Sequence, residues 1–490
     1  MEEVRSWFDI ALQSLYITLI VGYYVLVIFA VIKLLLENKN PLKTHSYLLA
    51  MVLIPVIGLG IYILFGQDYR RNKMFSRKAA VDQKRIDAYV QEQLEMATHH
   101  ELITDEAIKE KANIVQLLLS NNRSFFTKNN KVTLLINGEK KFKDLLARLK
   151  EAKEYIHMEY YIFDNDKIGN EVANVLAAKA RNGVKVRFIY DDVGTSHLEK
   201  SFKKLFDESG VEYYPFMPVY IPQLSRANFR DHRKIVVVDG EVGYVGGLNV
   251  ADRYINKGDK ISWRDVHLKV EGEAVNSLQI VFMLNWFFVS KTRLDFSEKY
   301  FPDITSRGTQ CVQIAASGPD SDWASIMQAF FVAISTAKKQ ILITTPYFIP
   351  NEPILEALNT AALGGVDVQI IFPYEGDNKI VQAASMSYMK EVLAAGVKVF
   401  LFTGGFNHSK TIVVDGVISS VGTANMDFRS FDQNFEVNAF IYDKDIAEQL
   451  VDLFMDDKEQ CVPLYLSRWQ QRPIRRRLAE SASRLLAPLL

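Results

Sequence analysis

The chain has 490 residues, enough for several domains and a sizeable core, with 49% hydrophobic and 24% charged residues. Lys plus Arg balance Asp plus Glu at 58 each, so net charge makes no case for nucleic-acid binding and leaves only a local basic face open. Two cysteines, Cys311 and Cys461, lack metal-ligand spacing and are too few for a disulfide framework; buried thiols in a reducing compartment are expected.

The first predicted elements are apolar. Ile10 to Ile32 gives 23 uncharged residues, and Ser46 to Gln67 gives 22 more. A bilayer core needs about 20 apolar residues in helical form, and core helices of globular proteins rarely stay apolar on every face for so long. The stretches are too long and too closely repeated for a signal peptide. Residues 1–67 are therefore predicted to form a two-helix transmembrane hairpin. The second stretch carries Pro55, Gly58, Gly60 and Gly66, so a kinked or re-entrant form is also open. Lys33, Lys39 and Lys43 mark the connection, against Arg70, Arg71, Lys73, Arg77, Lys78, Lys84 and Arg85 beyond it. Seven positive charges against three predict that the N-terminus and the large C-terminal part both face the cytoplasm. Residues 68–113 read as a charged helical linker.

From about residue 114 the sequence repeats itself. Ala152–Met158 parallels Ala337–Ile343, Gly183–Ile189 parallels Gly365–Ile371, and Gly210–Tyr214 parallels Gly396–Phe400. Each pair reads as a helix end followed by a β-rich run. Alternation of this kind predicts an α/β sandwich in each half, 114–306 and 307–490. The offset is 186 residues at Gly210 and Gly396 and 176 at the next motif, which puts a ten-residue insertion near Met217 to Asn228. It is either a surface loop or part of a site entrance, with Pro218, Tyr220, Pro222, Leu224 and Arg226 inside it.

The motif that follows carries the chemistry. The first half reads His232-x-Lys234-x4-Asp239-x6-Gly246-Gly247-x-Asn249, and the second His408-x-Lys410-x4-Asp415-x6-Gly422-Thr423-x-Asn425. One short match is weak; two with identical spacing inside an independent repeat are strong. On a strand, residues i and i+2 share a face, so each His points with its Lys. Asp239 and Asp415 have the other parity and are expected to brace the strand-end turn or a distant lysine. Brought face to face, the halves would form one pseudo-symmetric cleft with two imidazoles, two ammoniums and the amides of Asn249 and Asn425. That set suits a phosphodiester: one imidazole attacks phosphorus, the other exchanges protons with the alcohols, and Lys and Asn donors hold the non-bridging oxygens. No metal or other cofactor is required. Each imidazole needs its second nitrogen oriented, and the following strands offer Asp265 (in Trp263–His267) and Glu436 (in Asn434–Asn438).

Residues 114–490 resemble the phospholipase D superfamily through this doubled His-Lys-Asp motif. Gly243–Asn249, Trp263–His267 and Gly422–Ser430, with the apolar N-terminus, are similar to bacterial cardiolipin synthases. The resemblance implies two tandem phospholipase D-like halves in a membrane enzyme of the bacterial cell membrane. It implies transfer of a phosphatidyl group from one phosphatidylglycerol to another through a phosphohistidine, with His232 as nucleophile and His408 as acid/base. Its partners would be phosphatidylglycerol, other anionic phospholipids and the membrane, with no nucleic acid. A headgroup-hydrolysing or headgroup-exchanging phospholipase D would use the same site. A phosphatidylserine synthase, a nuclease and an inactive membrane scaffold are weaker alternatives. At the C-terminus, Arg472, Arg475, Arg476, Arg477 and Arg484 alternate with Ile474, Leu478, Leu485, Leu486, Leu489 and Leu490. This is either a basic amphipathic segment on anionic lipid or a helix packed on the catalytic part.

Overall fold

The structure is a computed structural model that describes residues 2–36, 41–54, 56–65, 83–98, 101–103, 105–195, 200–219, 228–256, 262–303 and 306–487. Lys39, Pro55, Gly66, the flank from Arg70 to Lys78, residues 220–227 of the insertion, and Leu489–Leu490 lie outside the described residues.

Among the described residues, the N-terminal unit contains one helix long and apolar enough to cross a membrane, Ile10–Leu36 within Glu2–Leu36. Most of its apolar side chains are exposed, including Leu15, Ile28 and Phe29. The second apolar stretch is not one helix. It forms two short pieces, Pro41–Leu53 and Ile57–Phe65. The break falls around Val56, which has a positive φ of 66°, and a Cβ on Gly58 would lie 2.1 Å from the Ala50 carbonyl oxygen. A straight span is thus replaced by two pieces of 13 and 9 residues, each shorter than a bilayer core requires.

The larger unit is built on the repeat. In the first half the strands are β1 (Thr127–Ile136), β2 (Tyr155–Tyr160), β3 (Lys185–Asp191), β4 (Glu212–Phe216), β5 (Lys234–Val238), β6 (Val242–Gly246), β7 (Trp263–Arg264) and β8 (Val266–Glu271). In the second they are β9 (Gln310–Ser317), β10 (Gln340–Thr344), β11 (Phe348–Ile349), β12 (Asp367–Pro373), β13 (Lys398–Phe402), β14 (Phe406–Asn407), β15 (Thr411–Val414), β16 (Ile418–Gly422), β17 (Met426–Asp427), β18 (Glu436–Tyr442) and β19 (Cys461–Pro463). From the middle outward, one half reads β1, β8, β6, β5, β2, β3, β4. The other reads β9, β18, β16, β15, β10, β12, β13, with β19 at its outer edge. β1 pairs antiparallel with β9, so the two halves share one continuous sheet.

Strand burial explains the β-branched run Ile235–Val238, since all of β5 is buried; all of β18 is buried as well. In the first half, Phe142, Leu145, Val172, Leu176, Phe202 and Phe206 pack from helices onto Met158, Val186, Phe188 and Val236. Helix Ala274–Ser290 meets β2, β5 and β8, with Gln279 hydrogen-bonded to the buried His157. The helix ends were legible: Gly183 and Gly365 take φ of 88° and 91°, a left-handed conformation that glycine adopts without a Cβ penalty.

Two placements differ from the sequence reading. Helix Ala112–Asn122, assigned from residue 114 to the first half, buries Ile114, Val115, Leu118 and Leu119 in the core of the second, against Ile326, Ala329 and Ile341. The cysteines are half-buried rather than buried; burial pushes the Cys311 thiol up to about 11 and the Cys461 thiol to about 12.

Candidate active site

Both histidines sit just before a buried strand and are fixed by the opposite half. The His232 backbone N–H donates to the Phe435 carbonyl at 2.9 Å, and Asp231 bridges Phe435 in parallel register. On the other side β14 pairs with β7, Phe406 opposite Trp263 and Asn407 opposite Arg264, and the His408 N–H donates to the Arg264 carbonyl at 2.7 Å. Each motif is therefore laid against the strand that carries the other half's carboxylate.

The carboxylate pairs cross accordingly. His232 Nδ1 stands 3.0 Å from both oxygens of Glu436, and His408 Nδ1 is 2.8 Å from Asp265 Oδ2. Sequence order suggested partners on the next strand of the same half; the fold supplies them from the other. Gly247 and Thr423 occupy matching positions beside these carboxylates. A Cβ on Gly247 would fall 2.2 Å from Asp265 Oδ1, so glycine makes room, whereas the Thr423 hydroxyl donates to Glu436.

Lys234 and Lys410 turn back toward their histidines. Each Nζ donates to the backbone carbonyl two residues earlier at 2.6 Å, and Lys410 Nζ also lies 3.0 Å from His408 Nδ1. Burial lowers the Lys234 ammonium to about 7 and the Lys410 ammonium to about 8, although Glu436 and Asp265 pull them back up. Burial also dominates at the imidazoles. His232 is lowered to about 4, and His408 falls well below the usual range, with Lys410 and Lys234 adding to the effect. The imidazoles are thus neutral, beside two lysines that give up their charge more readily than free ones.

Asp239 and Asp415 lie at the far strand ends, away from the imidazoles. Asp239 accepts the backbone N–H groups of Lys153, Glu154 and Tyr155, and Asp415 those of Lys338, Lys339 and Gln340. Both take positive φ, 54° and 55°. Asp415 also receives Lys111 Nζ at 2.7 Å. Asn249 and Asn425 each use part of their amide inside the fold. Asn249 donates to the Tyr254 hydroxyl and accepts from Ile162, and Asn425 donates to Asp427. These contacts tie down the loops that follow the motif.

The sequence reading missed several neighbours. Tyr161 packs edge-on to His232 with ring centroids 5.2 Å apart, and Trp263 and Phe406 flank His408 at 5.2 and 5.9 Å. Asn434 donates to Glu436 at 3.1 Å. Below the motif, Arg233 reaches the Glu436 and Ser317 carbonyls and Asn285, which donates to the buried Glu159. Alternation along the strand carried a signal for this layer: Asp231 and Arg233 must point opposite to His232 and Lys234.

A family model described as "Cardiolipin synthase, PLD-like domain" matches residues 145–267 and 330–458, one segment in each half. A second, described as "Phospholipase_D-nuclease N-terminal", matches residues 25–67. Cardiolipin synthase 2 of Bacillus anthracis is 43% identical over 465 residues, covering 93% of this chain and 88% of that protein. Cardiolipin synthase of Geobacillus kaustophilus is 42% identical over 473 residues, covering 95% and 92%. Among solved structures, phosphatidylserine synthase of Haemophilus influenzae Rd KW20 superposes with a TM-score of 0.56 at 13% identity, over 77% of this chain and all of that one. That likeness is one of fold.

Proposed function

The chain belongs to the cardiolipin synthase family of phospholipase D-like proteins, and from that premise we propose that it transfers a phosphatidyl group between two phosphatidylglycerol molecules. His232 Nε2 attacks phosphorus. The glycerol oxygen leaves with a proton from His408 Nε2, and a phosphohistidine remains. A hydroxyl of the second phosphatidylglycerol gives its proton to His408 and attacks the same phosphorus, which releases His232 and yields cardiolipin. One phosphodiester replaces another, so no nucleotide enters. Lys234 and Lys410 hold the non-bridging oxygens, where charge develops in the transition state.

The observation that carries this reading is the crossed pairing of both imidazoles with carboxylates of the opposite half. It fixes each Nδ1 and leaves both Nε2 atoms clear of the carboxylates, which supports their use in one reaction. The lowered pKa values support the same sequence of steps. A neutral His232 is the nucleophilic form, and an arriving phosphodiester anion offsets the two lysines, so that His408 can take up a proton.

The N-terminal helix serves as anchor. The broken second stretch completes a hairpin or re-enters the bilayer, with residues 68–113 leading to the catalytic part in the cytoplasm. Helix Ile474–Arg484 packs against Lys379–Ser387 and buries Glu480 between Arg472 and Arg476, while Ile474, Leu478 and Leu485 stay exposed. Both sequence readings of this segment have support: it is packed, and it keeps a basic apolar edge for anionic lipid.

Purified protein in vesicles containing phosphatidylglycerol alone tests the function. Cardiolipin and glycerol should appear in equal amounts. Phosphatidic acid as the sole lipid product would mean hydrolysis, and a requirement for a cytidine nucleotide would overturn the mechanism.

A further inference from the structure

A cleft of about 930 Å³ opens against two rings that flank His408, although His408 is not itself part of its lining. Trp263 and Phe406 form one wall, and these are the rings that flank the His408 imidazole. Tyr374, Asp377 and Arg253 are also part of its lining. Arg253 is 45% exposed, hydrogen-bonds Tyr254 and reaches Asp164 at 3.5 Å; a guanidinium has five N–H donors, so others are left for a ligand. Its charge acts on His408, and that of Asp377 acts on Lys410, so both groups are within electrostatic reach of the second motif. Arg253 stands four residues after Asn249, as Arg429 does after Asn425, again 176 residues apart. Arg429 is used differently: its Nε donates to Asn434, which in turn holds Glu436.

We propose that this cleft is the acceptor subsite and that it reads the phosphoglycerol headgroup of the incoming lipid at two points. The inference rests on the assignment of His408 as acid/base. In an in-line displacement the leaving and entering alcohols occupy the side opposite the nucleophile, which is the His408 side. Arg253 takes the acceptor's own phosphate. Asp377 accepts a hydrogen bond from the middle hydroxyl of its glycerol, leaving the terminal hydroxyl at His408. The carboxylates of Glu375 and Asp377 repel a phosphate placed the other way round, so the headgroup enters in one orientation. Water has neither anchor, and free glycerol lacks the phosphate. The cleft therefore favours transfer to lipid over hydrolysis.

Full-length protein in phosphatidylglycerol vesicles tests this by two readouts: cardiolipin formation, and exchange of labelled free glycerol into phosphatidylglycerol. Arg253→Gln should lower cardiolipin formation about tenfold more than it lowers exchange, the size of one charged hydrogen bond, with phosphatidic acid rising as side product. Arg253→Lys should recover part of the loss. Asp377→Asn should lower both readouts by similar factors, because both alcohols carry that hydroxyl. Equal loss of both in Arg253→Gln, or loss of neither, overturns the two-point reading while leaving the synthase function standing. Wild-type protein that exchanges glycerol but makes no cardiolipin removes the functional reading, and this inference with it.

Discussion

His232 and His408 hold matching places in the repeat, yet their Nδ1 atoms face different company. At His232 both neighbours are oxygens of one carboxylate, and Glu436 is further held by Thr423 and Asn434. Burial pushes Glu436 up, but His232, Lys234 and Thr423 outweigh it, and the carboxyl ends below its usual value. It stays ionised and accepts, so Nδ1 carries the proton and Nε2 presents a lone pair. At His408 the neighbours are Asp265 and the Lys410 ammonium. Burial raises Asp265 to about 7, against the pull of Lys410. An ammonium or a protonated carboxyl donates to Nδ1, which puts the imidazole proton on Nε2. One ring presents a lone pair at Nε2 and the other an N–H, and the second becomes an acid once its Nδ1 takes up a proton, a distinction that two identical motifs conceal.

The sharpest way to break this comparison is to remove the rings one at a time. His232→Ala and His408→Ala should each cut turnover on phosphatidylglycerol by at least about 10⁴-fold with the fold intact by circular dichroism. They should part company on a phosphatidyl ester of nitrophenol, whose leaving group needs no proton. His408→Ala should still release nitrophenolate in a burst and trap labelled lipid on the protein, whereas His232→Ala should do neither. A burst from His232→Ala would reverse the assignment.

The carboxylates come next in size. Glu436→Gln replaces a fixed acceptor with an amide that can present a donor to Nδ1, so the nucleophile loses its tautomer. A loss of about 10³–10⁴-fold in kcat is expected, by comparison with a triad carboxylate made amide. Asp265→Asn should cost only about 10–100-fold, because Lys410 still meets His408 Nδ1. Equal losses for the two would mean that the halves work alike.

The doubled motif, its strand placement and the bracing role of Asp239 and Asp415 could be read from residue order, because each depends on local parity or on identical spacing. The crossing of carboxylates could not. Asp265 and Glu436 look like partners for their own half in sequence, and only the pairing of β7 with β14 and of Asp231 with Phe435 sends each across. Helix Ala112–Asn122 failed for the same reason, since its apolar face says that it packs without saying on which half. The second apolar stretch had the hydropathy of a span, while its Pro and Gly content was the better guide to the break.

The smallest expected effect concerns the two motif aspartates. Asp239 is held by backbone N–H groups, whereas Asp415 adds a buried lysine from a segment far away in sequence, with Lys111 1% exposed. Lys111→Met should therefore destabilise the second half by about 1–3 kcal/mol in denaturant unfolding, the range for a charged hydrogen bond lost from a buried site. It should leave the imidazole geometry and kcat within about twofold, since the turn keeps its backbone donors. Burial raises the Asp415 carboxyl, but Lys111 and the backbone donors outweigh this and hold it below the usual value. A carboxyl depressed in the folded state contributes stability above its unfolded pKa and loses it as pH falls through the folded one. The acid side of the stability profile should thus be shallower in Lys111→Met than in wild type. An unchanged acid slope would mean that the backbone donors alone depress Asp415, making its turn equivalent to that of Asp239.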